Sequence, residues 1–370
     1  LLEKEPDVKR RMENNIVFML LRPKESLNVD QVLKLIEDYS RKEPGYYRVS
    51  DEVTISVVKQ GDIYNKNVKW IQYFFNPEQL LSVITTKPLI RRLGDLFEVS
   101  RGNTLWSYWA INHGRRPDVG GEGFFYLNED RARQLNIPSD CLYPLLSSPD
   151  YMLFFTFSKN DWDNIRNRGT ECYLFLCHKP RNELPESVLR YIQMGEGPNA
   201  IIRARSGRPI SETVASQTRR RHRELFYDWY DLGGIVKAPI YVTRGAQYWL
   251  RFVLSRFDCA LDDRVLALIP RDGIGFDENE LKALLAYLNS SFTMLQVEVR
   301  GRATGGGMIE LDVGPLSEFM VLDVKKLPRD AVERLAQLFD KLEAEARRLG
   351  GADRVENVFG SDLAKELVGG

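Results

Sequence analysis

The chain has 370 residues, 43% of them hydrophobic and 11% aromatic, so it can bury a sizeable core as two domains or as one large domain with extensions. Its 52 Lys and Arg residues balance 52 Asp and Glu residues, which excludes a histone-like polycation but allows a local basic face. Every apolar run is shorter than the about 18 residues that a membrane span needs, and we predict no span.

The first residues, LLEKEPDVKRRMENN, include no initiator Met and lack the layout of a signal peptide, so we interpret the chain as a fragment of a longer protein. The four cysteines Cys141, Cys172, Cys177 and Cys259 form no CxxC pair, and we predict reduced, buried thiols of a cytoplasmic protein. A metal site at Cys172, Cys177 and His178 is an alternative that the spacing and the apolar surroundings disfavour.

The N-terminal section alternates between strand and helix patterns. The apolar run Asn15–Pro23 predicts a strand buried in a sheet, and the sequence SLNVDQVLKLIEDYSR predicts a helix with one apolar face. The alternation that starts at Val53 is typical of a half-buried strand. An aromatic patch closes this section, and we interpret it as core or domain interface rather than as a binding platform. It comprises Trp70, Tyr73, Phe74 and Phe75.

The sequence changes character after Lys87-Pro88, where LIRRLGDLFEVSRGN leads through Arg101 into a loop rich in glycine. This loop carries Trp106, Trp109, Arg115 and Arg116. Aromatic and guanidinium groups on such a backbone could contact the surface of a ligand. The alternative is an ordered loop that packs its tryptophans on the core, and the residues do not decide between the two.

Further along the chain we predict several strands and three amphipathic helices from the spacing of apolar residues. The predicted strands lie in Tyr151–Ser158, Glu171–Cys177, Ala238–Leu250 and Asp263–Ile269, and the predicted helices in Glu186–Gly197, Asn279–Asn289 and Asp330–Leu349. For the last helix we predict a capping box between Asp330 and Glu333 at its start and a stop at Gly350.

The segment Ile201–Arg256 is strongly basic. It carries eleven Lys and Arg residues against four Asp and Glu residues, a net charge of +7 in a chain that is neutral overall. Its centre, TRRRHRELFYDWYDL, holds Arg219, Arg220, Arg221, Arg223 and His222 ahead of Phe226, Tyr227, Trp229 and Tyr230. Such a cluster attracts phosphates by charge and counterion release, and arginine forks can pair with guanine edges. A solvated helix face is the alternative, and these residues alone leave both open.

The stretch Asn289–Leu311 closes a helix, continues as a short strand-like segment and presents Arg300 and Arg302 directly before three glycines. Two guanidiniums at a glycine turn suggest an anionic ligand. A phosphate-binding loop would lead into a helix N-terminus, whereas MIELDV reads as a strand. We therefore interpret Gly305–Gly307 as a tight connection, with the two arginines making any contact with a ligand.

Patterns of catalytic residues are almost absent. His113, His178 and His222 lie in unrelated contexts, and the sequence contains neither GxGxxG after a strand nor GxxxxGK[ST]. The carboxylates form no spaced pair of the kind that acid–base catalysis uses. We expect that this chain is not an enzyme by itself.

Several segments resemble the C-terminal part of gamma-class adenine-N6 DNA methyltransferases of restriction-modification systems. LLEKEPDVKRRMENNIVFMLL is similar to the end of the catalytic domain, and LIRRLGDLFEVSRGN resembles the entry to the target-recognition domain of Taq-type enzymes and type I specificity subunits. WYDLGGIVKAPIYVTR and LLAYLNSSF, with the glycine-rich VRGRATGGGMIELDVGPLSEFMVLDVKKLP, are similar to the rest of that domain. The resemblance extends from Leu1 to Pro328.

The resemblance implies an α/β fold with mixed sheets and flanking helices. It divides the chain into a methyltransferase remnant with linker (1–87), a DNA target-recognition domain (88–328) and a C-terminal helix and tail (329–370). The family's Asn/Asp-Pro-Pro-Tyr/Phe tetrapeptide, which holds a flipped adenine, is missing, as is its glycine-bearing S-adenosylmethionine motif. We expect the catalytic core and its S-adenosylmethionine N-terminal to Leu1 or on another chain, and no cofactor in this one.

The implied role is to hold duplex DNA, read a short sequence and deliver adenine to the methyltransferase domain or subunit, in the cytoplasm. The candidate DNA-contacting residues are Arg101, Trp106, Trp109, Arg115, Arg116, Arg219, Arg220, Arg221, Arg223, Trp229, Tyr230, Arg300 and Arg302. The alternative is a protein-interaction module in which the aromatic patch and the Asp330–Leu349 helix dock a methyltransferase or endonuclease partner.

Overall fold

The computed structural model describes residues 7–21, 28–64, 73, 88–102, 121–235, 237–246, 249–304 and 308–356. The chain forms two compact units. The N-terminal unit comprises Leu1–Ile90 with Leu295–Gly301, and the second unit comprises Arg91–Met294 with Arg302–Gly370. Among the described residues, no helix is long and apolar enough to cross a membrane.

The described strands are mostly short. They are β1 Asn15–Leu21, β2 Gly45–Arg48, β3 Val53–Lys59, β4 Ile90–Arg92, β5 Phe97–Arg101, β6 Tyr126–Leu127, β7 Leu142–Leu146, β8 Thr156–Phe157, β9 Tyr173–Phe175, β10 Ile240–Thr243, β11 Gly245–Ala246, β12 Phe252–Ser255, β13 Ala260–Leu261, β14 Val265–Pro270, β15 Arg302–Ala303, β16 Ile309–Glu310 and β17 Met320–Leu322.

The helices range from a single turn to 21 residues. They are α1 Val8–Glu13, α2 Val29–Ser40, α3 Gln60–Tyr64, α4 Leu93–Leu96, α5 Glu122–Phe125, α6 Glu129–Gln134, α7 Lys159–Asn167, α8 Glu186–Gln193, α9 Val214–Arg221, α10 Glu278–Leu288, α11 Ser291–Arg300, α12 Val313–Ser317, α13 Arg329–Leu349 and α14 Ala352–Glu356. Short 3₁₀ turns lie at Ser139–Cys141, Pro149–Tyr151, Arg181–Glu183, Ile210–Glu212 and Val324–Lys326.

The N-terminal unit contains a three-stranded antiparallel sheet in the order β1-β3-β2. Ile55 and Val57 of β3 are buried, which confirms the predicted alternation. The predicted strand β1 also forms, with Phe18 buried at its centre and the flanking residues half-buried. Tyr73 stacks on Phe18 with ring centroids 5.0 Å apart, as the interpretation of this aromatic as core requires. Trp70, Phe74 and Phe75 lie outside the described residues.

The second unit is built on two mixed sheets. One has five strands in the order β5-β14-β10-β12-β8, antiparallel except for the parallel pair of β12 and β8. The other has four strands in the order β13-β7-β9-β6, where only β13 and β7 run parallel. A smaller sheet of β11, β16 and β15 is antiparallel. These sheets and their flanking helices confirm the predicted α/β fold with mixed sheets.

An aromatic core lies beside the four-stranded sheet. The ring of Phe124 stacks on Tyr191 at 4.6 Å and contacts Trp229 at 4.8 Å between centroids. Trp229 and Tyr230 are both fully buried, with the Trp229 ring nitrogen donating to Glu196 at 2.6 Å and the Tyr230 hydroxyl donating to a backbone carbonyl. Buried tryptophan and tyrosine usually satisfy their polar atoms in this way.

Helices α10 and α13 confirm two of the three predicted amphipathic helices almost to the residue, and α8 confirms the third. The capping box predicted at Asp330 and Glu333 is wrong. Pro328 precedes α13 without a side-chain cap, and Glu333 pairs instead with the side chain of Arg329 at 3.3 Å. Gly350 ends the helix in the left-handed conformation (φ 80°), as its position predicts.

The strand-like segment predicted before Arg300 is wrong, because Ser291–Arg300 is a helix. Thr293, Gln296 and Val297 are its buried residues, and their spacing is helical. Two of the three are polar, so a pattern of hydrophobic residues does not reveal this face. The alternation of Val297 and Val299 with polar neighbours imitates a strand instead.

The prediction of four reduced thiols is wrong for one pair. The structure links Cys141 and Cys177 in a disulfide with their Cα atoms 4.6 Å apart, whereas Cys172 and Cys259 are free and buried. Cys141 directly precedes β7 and Cys177 follows β9, so the pairing of these antiparallel strands brings the two together. In the described part of the chain, no group of three or more His, Cys, Asp or Glu residues could hold a metal.

Candidate nucleic-acid interface

Four arginines lie at one end of the five-stranded sheet. Arg101 is the last residue of β5, and Arg244 directly follows β10. Arg264 and Arg251 directly precede β14 and β12. Because β5, β14, β10 and β12 are antiparallel neighbours in this order, the end of one strand lies beside the start of the next. We call Arg101, Arg264, Arg244 and Arg251 the arginine row.

Backbone hydrogen bonds between the strands fix the relative positions of the four arginines in the row. Arg101 lies opposite Leu266 in the pairing of β5 with β14. The backbone N–H of Arg244 donates to the carbonyl of Arg264 at 3.0 Å, and the N–H of Thr243 donates to the carbonyl of Arg251 at 3.1 Å. The four side chains therefore start from adjacent positions, although up to 163 residues separate them in the numbering of the chain.

Arg264 and Arg251 of the row are held differently. Arg264 donates from Nε to Asp262 at 2.6 Å and from its terminal nitrogen to the carbonyl of Ser147 at 2.9 Å. Asp262 is buried and also accepts the hydroxyl of Tyr126 at 2.8 Å. Arg251 pairs with the exposed Asp353, and its own Nε is buried without a hydrogen-bond partner among the described residues.

Asp312 connects the other two arginines of the row. Its carboxylate accepts two hydrogen bonds from Arg101, one of them from Nε at 3.1 Å, and it lies 3.9 Å from a terminal nitrogen of Arg244. Burial alone would raise the pKa of Asp312, but the hydrogen bonds from Arg101 and the charges of Arg101 and Arg244 hold this pKa below its usual value. The carboxylate is therefore ionised at neutral pH.

Gly102 is required where β5 ends. A Cβ atom at this position would lie 2.2 Å from the backbone oxygen of Asp262 and 2.5 Å from that of Leu261, closer than any side chain allows. Residues 103–120 follow directly in the chain, and the predicted candidates Trp106, Trp109, Arg115 and Arg116 among them lie outside the described residues.

Arg302 lies on the small sheet of β11, β16 and β15, whose strand β11 directly follows Arg244 of the arginine row. It is 74% exposed and pairs with Glu310 at 2.6 Å across β15 and β16, and β16 pairs in turn with β11, which directly follows Arg244. Gly305–Gly307 lie outside the described residues. Arg300 is an exposed residue of the last turn of α11, in the N-terminal unit.

The arginine-rich segment Arg219–Arg223 is divided by burial. Arg221 and Arg223 are exposed and make no ion pair with any other described residue. Arg220 is half-buried and donates from Nε to Asp228 at 2.9 Å. Arg219 is only 6% exposed and donates from Nε to the carbonyl of Trp229 at 2.6 Å. Burial lowers the pKa of Arg219 to about 10, against the opposing charge of Asp231.

Three predicted contact residues are therefore core residues in this structure. Arg219, Trp229 and Tyr230 are buried, and their polar atoms are used within the fold, so we do not retain them in the candidate interface. The number of arginines in this segment predicts a basic cluster, but it does not indicate which side of α9 faces the core. Arg101, Arg221, Arg223 and Arg302 remain candidates, together with Arg220 as the half-buried neighbour.

Sequence reasoning missed Arg264 and Asp312 and did not single out Arg244 and Arg251 within the basic segment. The available signal was positional, because each of these arginines directly follows or precedes an apolar strand. It becomes useful only once the strand order is known.

Comparison with known proteins identifies the chain. The family described as Type II methyltransferase M.Eco57I, C-terminal domain, matches residues 67–355. The chain belongs to this family. This agrees with the resemblance of its sequence to the C-terminal part of restriction-modification methyltransferases.

Two individual proteins are also similar. The type II methyltransferase M.AccI of Acinetobacter calcoaceticus is 22% identical over 229 residues, which cover 60% of this chain and 37% of that protein. The type IIG restriction endonuclease BpuSI superposes with a TM-score of 0.49 and 12% identity, over 88% of this chain and 35% of that one. The chain thus spans little more than a third of the length of either protein.

Proposed function

We propose that this chain binds duplex DNA in a sequence-specific manner and presents adenine to the methyltransferase core of a site-specific DNA (adenine-N6) methyltransferase. The observation that carries the proposal is the arginine row at the end of the five-stranded sheet, in a chain of the methyltransferase C-terminal family. Guanidinium groups on a rigid sheet can hold a DNA backbone in register, while neighbouring loops read base edges.

The division of labour follows from where the side chains lie. Arg101 and Arg244, with the exposed Arg221, Arg223 and Arg302, are proposed to contact phosphates. The segment of residues 103–120, with Trp106, Trp109, Arg115 and Arg116, is the proposed base-reading element because it follows Arg101 and Gly102 directly in the sequence. Arg300 is proposed as an additional phosphate contact of the N-terminal unit.

The chemistry is assigned to a region beyond these 370 residues. No two prolines are adjacent in the sequence, so the tetrapeptide that would hold a flipped adenine is absent from it. S-adenosylmethionine is therefore proposed to bind the catalytic domain or subunit of the intact enzyme in the cytoplasm, and the partners of this chain are duplex DNA and that domain.

A protein-docking role for helix α13 has less support. Its apolar stripe, including Val332, Phe339 and Ala346, is buried within the second unit, so this face is already covered in the chain. The same helix is also bound to α7 of this unit, because Arg347 donates to the buried Asp161 at 2.8 Å. We therefore place DNA binding first and docking of a partner enzyme second.

The proposal predicts that the 370-residue chain shifts duplex DNA in a gel but transfers no methyl group from S-adenosylmethionine to it. The physical reason is that the basic surface is present while the adenine-holding tetrapeptide is not. Gel shift and radiolabelled methyl transfer are measured on the same preparation. Methyl transfer by this chain would contradict the assignment of catalysis to another region, and a chain that leaves duplex DNA unshifted would contradict DNA binding.

A further inference from the structure

Asp312 is the outermost member of the cluster that it forms with Arg101 and Arg244. The side chain of Asp312 is 46% exposed, against 19% for Arg101 and 21% for Arg244. The carboxylate therefore covers the two guanidiniums from the solvent side. Any anion that reached these guanidiniums from solvent would meet them where the carboxylate now lies.

Arg244 is bound to the carboxylate less directly than Arg101 is. Arg101 binds Asp312 with two of its nitrogens, whereas Arg244 stands 3.9 Å away, beyond a direct hydrogen bond. The Nε of Arg244 is buried and has no hydrogen-bond partner in the described parts of the chain. An anion with more oxygens than a carboxylate could engage both guanidiniums at once.

We propose that Arg101 and Arg244 form a binding site for a backbone phosphodiester of duplex DNA, which Asp312 fills in the free protein and leaves when DNA binds. This inference rests on the proposed function. A guanidinium fork pairs with carboxylate and phosphate in the same bidentate geometry, so exchanging one for the other preserves the hydrogen bonds of Arg101. Asp312 thereby keeps the site ordered and weakens binding to DNA of any sequence.

The exchange has a second benefit for a sequence-specific protein. Binding to the wrong sequence depends almost wholly on phosphate contacts, whereas binding to the right one adds base contacts. A carboxylate that competes with phosphate therefore lowers both affinities, and the added base contacts decide which duplex is held. Asp312 therefore lowers the affinity of the chain for DNA of non-specific sequence.

The test is the Asp312→Asn variant, because asparagine keeps the shape of the side chain and can still accept the N–H of Val313 that Asp312 accepts at 2.8 Å. The affinity for a short random-sequence duplex is expected to rise about tenfold, with the slope of log K against log salt steeper by about one, because the variant removes one negative charge that competes with the phosphates for the two guanidiniums. Both quantities follow from fluorescence anisotropy titrations at several salt concentrations.

The matched control is Asp140→Asn, which removes the same charge from an exposed ion pair with Lys179 on another part of the second unit. Asp140→Asn is expected to leave the salt slope unchanged. In Asp312→Asn/Arg244→Gln the gain is expected to disappear, which locates the effect at this site. Thermal unfolding of each variant verifies that the protein is folded. If Asp312→Asn does not fold, the single variant Arg244→Gln tests the site, because it should weaken duplex binding.

The outcomes separate the two proposals. Binding of Asp312→Asn with wild-type affinity and slope, while the wild-type chain binds duplex DNA, overturns this inference and leaves the proposed function intact. If neither protein binds duplex DNA, both are overturned. If Asp312→Asn strengthens the binding of inorganic phosphate but not that of the duplex, the site takes a free anion, and this too would overturn the inference.

Discussion

Duplex DNA binding by this chain is expected to weaken about 100-fold when Arg101 and Arg244 are both replaced by glutamine, since each charge-assisted hydrogen bond contributes about 1.5 kcal/mol or more. Both side chains are anchored by the ends of β5 and β10, the strands on either side of β14, so their guanidiniums are held in place before DNA arrives. Preorganisation of this kind spares the entropy that an exposed arginine loses on binding. The slope of log K against log salt should fall by about two.

The control for this double variant is Arg133→Gln/Arg190→Gln. Arg133 and Arg190 are 74% and 68% exposed, and each pairs with a glutamate one helical turn earlier. The control removes the same two charges from helices outside the arginine row, and we expect it to change affinity only slightly. Equal losses in the two double variants would mean that net charge, and not the arginine row, determines binding.

Replacing Trp229 by alanine is expected to lower the free energy of unfolding of the second unit by about 4 kcal/mol, the usual cost of deleting a buried aromatic side chain. Trp229 is fully buried against Phe124 and donates to Glu196, so its removal leaves a cavity and takes one hydrogen bond from this carboxylate. Urea unfolding followed by circular dichroism measures the loss.

The comparison variant is Leu225→Ala, four residues earlier in the same segment, where the side chain is 60% exposed. It should unfold at nearly the wild-type urea concentration. A Trp229→Ala protein of wild-type stability that fails to bind duplex DNA would instead identify Trp229 as a ligand contact, as its sequence context alone suggests.

Local patterns were sufficient for the helices whose apolar residues are regularly spaced. Helices α10 and α13 bury leucine, alanine and phenylalanine at helical spacing, and such a stripe is visible without tertiary information. Helix α11 was missed because its buried face includes Thr293 and Gln296, whose burial depends on what surrounds them. The disulfide of Cys141 and Cys177 depends likewise on the pairing of strands distant in sequence.

The candidate interface shows the same limit. A count of charges locates the basic segment, but it does not separate the buried Arg219 from the exposed Arg221 two positions later. The arginine row cannot be recognised in the sequence, because Arg101 and Arg264 become neighbours only through the pairing of β5 with β14. The sequence gives even less indication of Asp312, because its proposed role depends on its contacts with the guanidiniums of Arg101 and Arg244.

We propose that this chain of the methyltransferase C-terminal family holds duplex DNA through phosphate contacts, and the salt dependence of binding tests this proposal most directly. Titration of the 370-residue chain with a duplex between about 50 and 200 mM salt should give an affinity that falls steeply, with a log–log slope of about −3 or more negative, as expected when several phosphates are neutralised. An affinity that stays flat over this range would contradict the account.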